Sequence, residues 1–113
     1  MKYLAEKTLF LIIGHKIIKY ERVGTKEDCV DYLFLDNDTT LQLVNKRNFV
    51  GINEMMLVGK TIIKIEEKLN RYIRFFLGEK ESVELDMTKN GFDTPEAIIV
   101  SHGDYLDVVR VDN

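Results

Sequence analysis

The sequence holds one cysteine, one proline and no tryptophan among its 113 residues. A lone Cys29 cannot close an internal disulfide, so the fold rests on its core. The scarcity of proline, with only seven glycines, excludes collagen-like and proline-rich chains. Long apolar runs are missing as well. Runs such as residues 9–13 and 98–100 stop at Gly14 and Ser101, far short of the ~20 residues that cross a bilayer as a helix. The opening Met1-Lys2-Tyr3-Leu4 faintly suggests a signal peptide but is not expected to be one, because Glu6 and Lys7 interrupt the apolar stretch and no small-residue cleavage site follows. The expectation is a cytoplasmic protein. What remains is 45% apolar and 31% charged, the profile of a single domain over residues 1–113 that can bury roughly two-thirds of its unfolded surface.

The net charge of −3 is unevenly spread. Residues 1–78 carry 13 Lys/Arg and 10 Asp/Glu, whereas residues 79–113 carry 3 and 9, so the last third is net −6. Such a segment is either a solvated face or a docking surface for a basic partner. On the second reading the binding residues are Glu84 and Asp86, which strand alternation turns outward, with Asp93, Glu96, Asp104 and Asp107 in or beside the closing loops. Tyr105 is then the aromatic anchor, since binding hot spots favour a ring ringed by polar contacts.

Self-comparison supplies the clearest structural signal. Gly14-His15-Lys16-Ile17-Ile18-Lys19-Tyr20-Glu21 matches Gly59-Lys60-Thr61-Ile62-Ile63-Lys64-Ile65-Glu66 at an offset of 45, and Phe34-Leu35-Asp36-Asn37-Asp38 through Leu43 parallels Phe76-Leu77-Gly78-Glu79-Lys80 through Leu85 at 42. Each copy reads as strand, strand, turn, strand. The prediction is a mainly β fold, an antiparallel sheet built from two similar three-stranded units over residues 14–46 and 59–87. Hairpin tips fall at Asp36-Asn37-Asp38 and Gly78-Glu79-Lys80, where Asn and Gly tolerate positive φ. Leu41, Leu43, Val83, Leu85 and Met87 point inward; Ser82, Glu84 and Asp86 point to water. Residues 32–35 and 72–77 are apolar on both faces apart from Arg74, which asks for a cover on the sheet's other side. Leu4, Thr8, Leu11 and Ile12 at helical spacing, ended by Gly14, make a short N-terminal helix the candidate cover, with a strand over residues 8–13 as the alternative. Residues 97–100 and 106–111 read as two further strands.

Motifs that carry chemistry are scarce. Gly59-Lys60-Thr61 resembles the end of a phosphate-binding loop, but Glu54 stands where that loop needs glycine. His15 and His102 lie 87 positions apart, without the ligand spacing of a metal site, so neither metal nor cofactor is expected. The aspartates beside Cys29 disfavour its thiolate, and the pairs Asp36/Asp38 and Asp104/Asp107 read as turn chemistry. Asn37-Asp38-Thr39, a glycosylation sequon, reads the same way. No enzyme is expected. The one nucleic-acid signal is Lys60, Lys64, Lys68, Arg71 and Arg74 interleaved with Tyr72, Phe75 and Phe76, a mixture suited to single strands on a sheet.

Over residues 14–111 the chain resembles the small immunity proteins of bacterial polymorphic-toxin and contact-dependent growth inhibition systems. The likeness is carried by Gly59-Lys60-Thr61-Ile62-Ile63-Lys64-Ile65-Glu66, by Ser82-Val83-Glu84-Leu85-Asp86-Met87 and by Gly91-Phe92-Asp93-Thr94-Pro95-Glu96-Ala97-Ile98-Ile99-Val100. It implies a β-rich cytoplasmic domain that neutralises one cognate toxin by binding it, with no chemistry of its own, and an acidic segment suits a basic toxin such as a nuclease. The alternatives are the single-stranded nucleic-acid binder and a small-molecule enzyme.

Overall fold

The computed structural model describes residues 3–25, 27–88 and 96–111. Among these, a short helix α1 (Glu6–Ile12) precedes nine strands: β1 (Ile17–Gly24), β2 (Cys29–Leu35), β3 (Thr39–Leu43), β4 (Arg47–Val50), β5 (Lys64–Lys68), β6 (Tyr72–Phe76), β7 (Ser82–Asp86), β8 (Glu96–His102) and β9 (Tyr105–Arg110). A 3-10 turn, Glu54–Met56, lies between β4 and β5. All pairings are antiparallel, in two sheets ordered β1-β2-β3-β8-β9 and β4-β7-β6-β5. No helix among the described residues is long and apolar enough to cross a membrane.

The two similar units are the meanders β1-β2-β3 and β5-β6-β7, and they occupy separate sheets rather than one. Their following strands are exchanged. β4 leaves β3 but pairs with β7, while β8 leaves β7 but pairs with β3. Exchanging β1 with β5, β2 with β6, β3 with β7 and β4 with β8 therefore turns one sheet order into the other, leaving β9 as an addition.

The repeated glycine segments meet where the units touch. Lys16 and Thr61, equivalent at the offset of 45, form an isolated antiparallel bridge. Gly14 N–H donates to the Ile62 carbonyl at 2.7 Å and Gly59 N–H to that of Ile17 at 2.8 Å. Ile17 N–H donates to Lys60 and Ile62 N–H to His15, at 2.8 and 3.0 Å. Each bond has its counterpart in the other copy. Gly59 and Lys60 together oppose Ile17, as Gly14 and His15 oppose Ile62, so each side carries a bulge led by a left-handed glycine, φ +88° and +98°. The phosphate-loop lookalike is thus a strand junction.

Leu33, Leu41 and Leu43 from one sheet and Ile73, Phe75, Val83 and Leu85 from the other share a single core with Met87. Alternation therefore assigns these residues correctly, with one exception: Ser82 is buried, flanked across the ladder by Val50 and Phe76. The left-handed residue of the first tip is Asp38, φ 64°, and Gly78 adopts no positive φ.

Residues 6–12 are helical because Ala5, Glu6 and Lys7 favour a helix and the apolar spacing gives it one buried side. Leu4, Thr8 and Ile12 are buried, and Phe10 faces away. The helix does not cover an outer sheet face, as the apolar second strands led us to expect. It adds Leu4 and Ile12 to the shared core and closes one end of the sandwich. The Glu67 carboxylate of β5 accepts from the Tyr3 and Leu4 N–H groups at 3.1 and 2.7 Å, fixing the segment that leads into the helix.

Candidate partner-binding surface

The described acidic residues of the last third do not gather on one acidic face. Glu84 and Asp86 lie on β7 of the four-stranded sheet, while Glu96, Asp104, Tyr105 and Asp107 belong to β8, β9 and the turn between them in the other. Asp93 lies outside the described residues. Most of these carboxylates serve the fold. Glu84 pairs with Arg74 at 3.2 Å, and Asp86 Oδ1 accepts from the N–H and hydroxyl of Thr88 at 2.7 and 2.6 Å. Both are half-buried and border a pocket of about 360 Å³ beside Lys46 and Arg71. Glu96 stands 3.8 Å from Arg110.

Tyr105 and Asp107 are turned toward α1. The Thr8 hydroxyl donates to Asp107 Oδ2 at 2.6 Å, so its oxygen accepts from the Tyr105 phenol, also at 2.6 Å. Lys7 lies 4.5 Å from the centre of the Tyr105 ring, and Ala5 N–H reaches Asp107 at 3.3 Å. These two side chains anchor the helix, which leaves Phe10, 76% exposed, as the open aromatic at this end.

A different set of carboxylates shares open surface. Thr39 pairs with His102, which sets the β2–β3 tip next to the β8–β9 turn at one end of the five-stranded sheet. Asp36, Asp38 and Asp104 are all exposed there. Asn37 donates to the Leu11 carbonyl at 3.0 Å, fixing the tip to the helix that carries Phe10. His15 Nδ1 lies 2.8 Å from Asp36 and its hydrogen bond holds that carboxyl below its ordinary value. His102 bonds Thr39 at 3.1 Å. The two histidines thus serve separate partners.

The strongest electrostatic centre lies at the opposite end of the inner face, and the charge pattern of the sequence did not reveal it. Asp31 is fully buried on β2. Its carboxylate accepts from the Tyr20 phenol at 2.7 Å, from Arg22 at 2.7 and 3.0 Å, and pairs with Arg47 Nε at 3.1 Å. Arg47 also donates to the carbonyls of Leu43 and Cys29, and Arg22 reaches Glu54 at 3.0 Å. Burial, then the bond to Asp31, raises the Tyr20 pKa, and the same bond raises that of Arg22. Tyr20 stays protonated and Arg22 charged, which suits a clamp between strands rather than proton transfer. Alternation in β2 offered the clue, because Asp31 falls in phase with Leu33 and Leu35. A groove of about 700 Å³ opens beside this clamp, bordered by Cys29, Lys46, Phe49 and Glu54.

The lysine- and aromatic-rich stretch divides between faces. Phe75 is buried, and Lys60 pairs with Glu81 at 2.9 Å. Tyr72, Arg74 and Phe76 share the outer face of β6, but the Arg74 guanidinium lies 4.3 Å from the centre of the Tyr72 ring and 5.8 Å from that of Phe76, while Lys64 lies over Phe76 at 5.3 Å. Glu66 and Glu84 flank Arg74 at 3.2 Å each. The rings already carry the chain's own cations, which competes with base stacking. Among the described residues no three His, Cys, Asp or Glu side chains converge as a metal site would require. Comparisons with protein-family models, curated proteins and solved structures give no match for this chain.

Proposed function

We propose that this chain is an immunity protein that neutralises a cognate bacterial toxin domain by binding it, without chemistry of its own. The observation that carries the reading is the acidic end of the five-stranded sheet, where two adjoining turns present Asp36, Asp38 and Asp104, the first turn bonded through Asn37 to the helix that carries the exposed Phe10. Exposed carboxylates on turns bonded to a helix that carries an open aromatic ring suit a basic protein surface, including a nuclease site shaped for phosphate, because they combine electrostatic steering with an apolar anchor. The sequence resemblance supports the same reading. Its action belongs in the cytoplasm, alongside the toxin's target.

On this reading Asp104, one of the acidic residues of the last third, belongs to the binding surface. Glu84, Asp86, Glu96, Tyr105 and Asp107 are supporting groups, because their side chains hold the β7 turn, the β8–β9 edge and the helix. The test is titration of a purified basic toxin domain, encoded beside this chain, by wild-type protein and by Asp38→Asn/Asp104→Lys and Phe10→Ser variants. Weakened binding by both variants with the fold intact agrees with the proposal. Full-strength binding by both, or loss only on substitution of Lys64 and Arg71, contradicts it.

A further inference from the structure

The chain's only two histidines lie at the acidic end, and both bond the same turn. His15 reaches it from the connection between α1 and β1, where its Nδ1 lies 2.8 Å from Asp36 Oδ1. His102 reaches it from the end of β8, where its Nδ1 lies 3.1 Å from the Thr39 hydroxyl oxygen. Both imidazoles are half-buried, whereas the three carboxylates of this end, Asp36, Asp38 and Asp104, are exposed. The other charged and titratable groups on the elements packed against them are engaged or turned elsewhere. Lys16 gives its carbonyl to the Asp36 N–H at 2.9 Å, and Lys60 pairs with Glu81. Tyr105, the cross-strand partner of His102, has Lys7 over its ring and its phenol on Thr8, which also bonds Asp107. Imidazole is the one side chain that ordinarily changes charge between about pH 5 and 8; lysine, tyrosine and aspartate ordinarily titrate outside that range.

We infer that this end of the molecule is under proton control: charging of His15 and His102 cancels two of the three negative charges of Asp36, Asp38 and Asp104 and loosens the hold on a basic partner. The inference rests on the reading of this end as the binding surface and adds its regulation. The hydrogen bonds let charge change without a change of shape. An ionised carboxylate only accepts, so the neutral His15 ring already carries a proton on Nδ1 toward Asp36, and the second proton goes to Nε2. The Thr39 hydroxyl can donate or accept, so its oxygen accepts from His102 once Nδ1 is protonated. Both bonds survive acidification, and the turn keeps its place against β8 and the connection to β1. Asp36 stays ionised throughout, because the bond to His15 holds it below its ordinary value of 3.8. The response is confined to this end, since the chain has no other histidine. Attraction between exposed charges is modest, so cancelling two of three should weaken a basic partner on the order of tenfold rather than abolish binding.

The test is NMR of the full, isotope-labelled chain titrated with hexalysine at low salt, at about pH 7.5 and about pH 5.5, either side of the ordinary imidazole value. The probe keeps its own charge at both, because lysine titrates at about 10.4. At the higher pH the expected result is saturable shifts of the amides at positions 36–38 and 103–104, with affinity on the order of tenfold lower at the lower pH. The imidazole signals of His15 and His102 should titrate over the same range as the loss of binding. His15→Gln/His102→Gln, which keeps a polar group at each position without its charge, should bind the probe equally at both pH values. The imidazole comparison decides the matter on wild-type protein alone if that variant does not fold. Equal wild-type binding at both pH values, no shifts in these turns at the higher pH, or a folded double variant that keeps the pH dependence overturns the inference. A basic toxin domain separates this inference from the reading beneath it. A domain bound at neither pH, with the hexalysine response intact, defeats the proposed function; a domain bound equally at both defeats the proton control alone.

Discussion

Gly14 and Gly59 occupy equivalent positions on either side of the Lys16–Thr61 bridge, each donating its N–H to the isoleucine that follows the other glycine by three residues. This reciprocity gives the repeated sequence its physical content. Both glycines are left-handed, and a Cβ at either would meet nothing within 4 Å. Gly14→Ala and Gly59→Ala should therefore each cost about 1–2 kcal/mol, the expense of a left-handed backbone alone. Gly51→Ala should cost more, because its Cβ would drive into the Lys80 carbonyl. Urea denaturation of the three variants checks the order.

Asp31 ties β1 and β2 to β4 through Arg22 and Arg47. Asp31→Ala leaves the nearly buried Arg47 guanidinium without its counter-charge, and breaking a buried pair from one side should destabilise by about 3–5 kcal/mol. Arg22→Ala should cost less, since Arg22 is partly exposed and Arg47 still faces the carboxylate. Chemical denaturation of both variants gives the comparison.

The Asp36–His15 contact predicts a pH response. Because the folded carboxyl titrates below its ordinary value of 3.8, its stabilising contribution is complete above that value and is lost as pH falls through the lower folded value. The effect is small, since the pair is open to solvent. NMR titration should find the Asp36 carboxyl depressed in the wild-type protein and restored toward the ordinary value by His15→Ala.

Thr8 joins α1 to β9 through Tyr105 and Asp107. Thr8→Val keeps the shape but strips both of them of that partner, and the unsatisfied groups should cost about 1–3 kcal/mol. Hydrogen exchange should show the loss concentrated in residues 5–13, with the sheets still protected.

Much of the fold was legible because strand alternation and the glycine repeat are local signals. Leu41, Leu43, Val83 and Leu85 could be assigned to the core from period two alone, and Leu4, Thr8 and Ile12 from helical spacing. The exchange of β4 and β8 was not legible, since pairing partners distant in sequence leave no trace in local pattern. The short β4 went unrecognised for the same reason: Arg47, Asn48, Phe49 and Val50 form a strand through pairing with β7. The acidic surface was read from charge along the chain, whereas folding disperses that charge. Glu84 meets Arg74, Asp107 meets Thr8, and the open carboxylates gather instead from Asp36, Asp38 and Asp104, one of them in the acidic third and two in the first half of the sequence.

The most direct measurement is the activity of the toxin domain that the proposed function calls for, purified and assayed as this chain is added in increasing amount. The proposed function predicts that wild-type protein abolishes the activity at a fixed stoichiometry, and that Asp38→Asn/Asp104→Lys, equally folded, fails to do so at the same concentration. Toxin activity unaffected by the wild-type protein, or suppressed equally well by the variant, would contradict it.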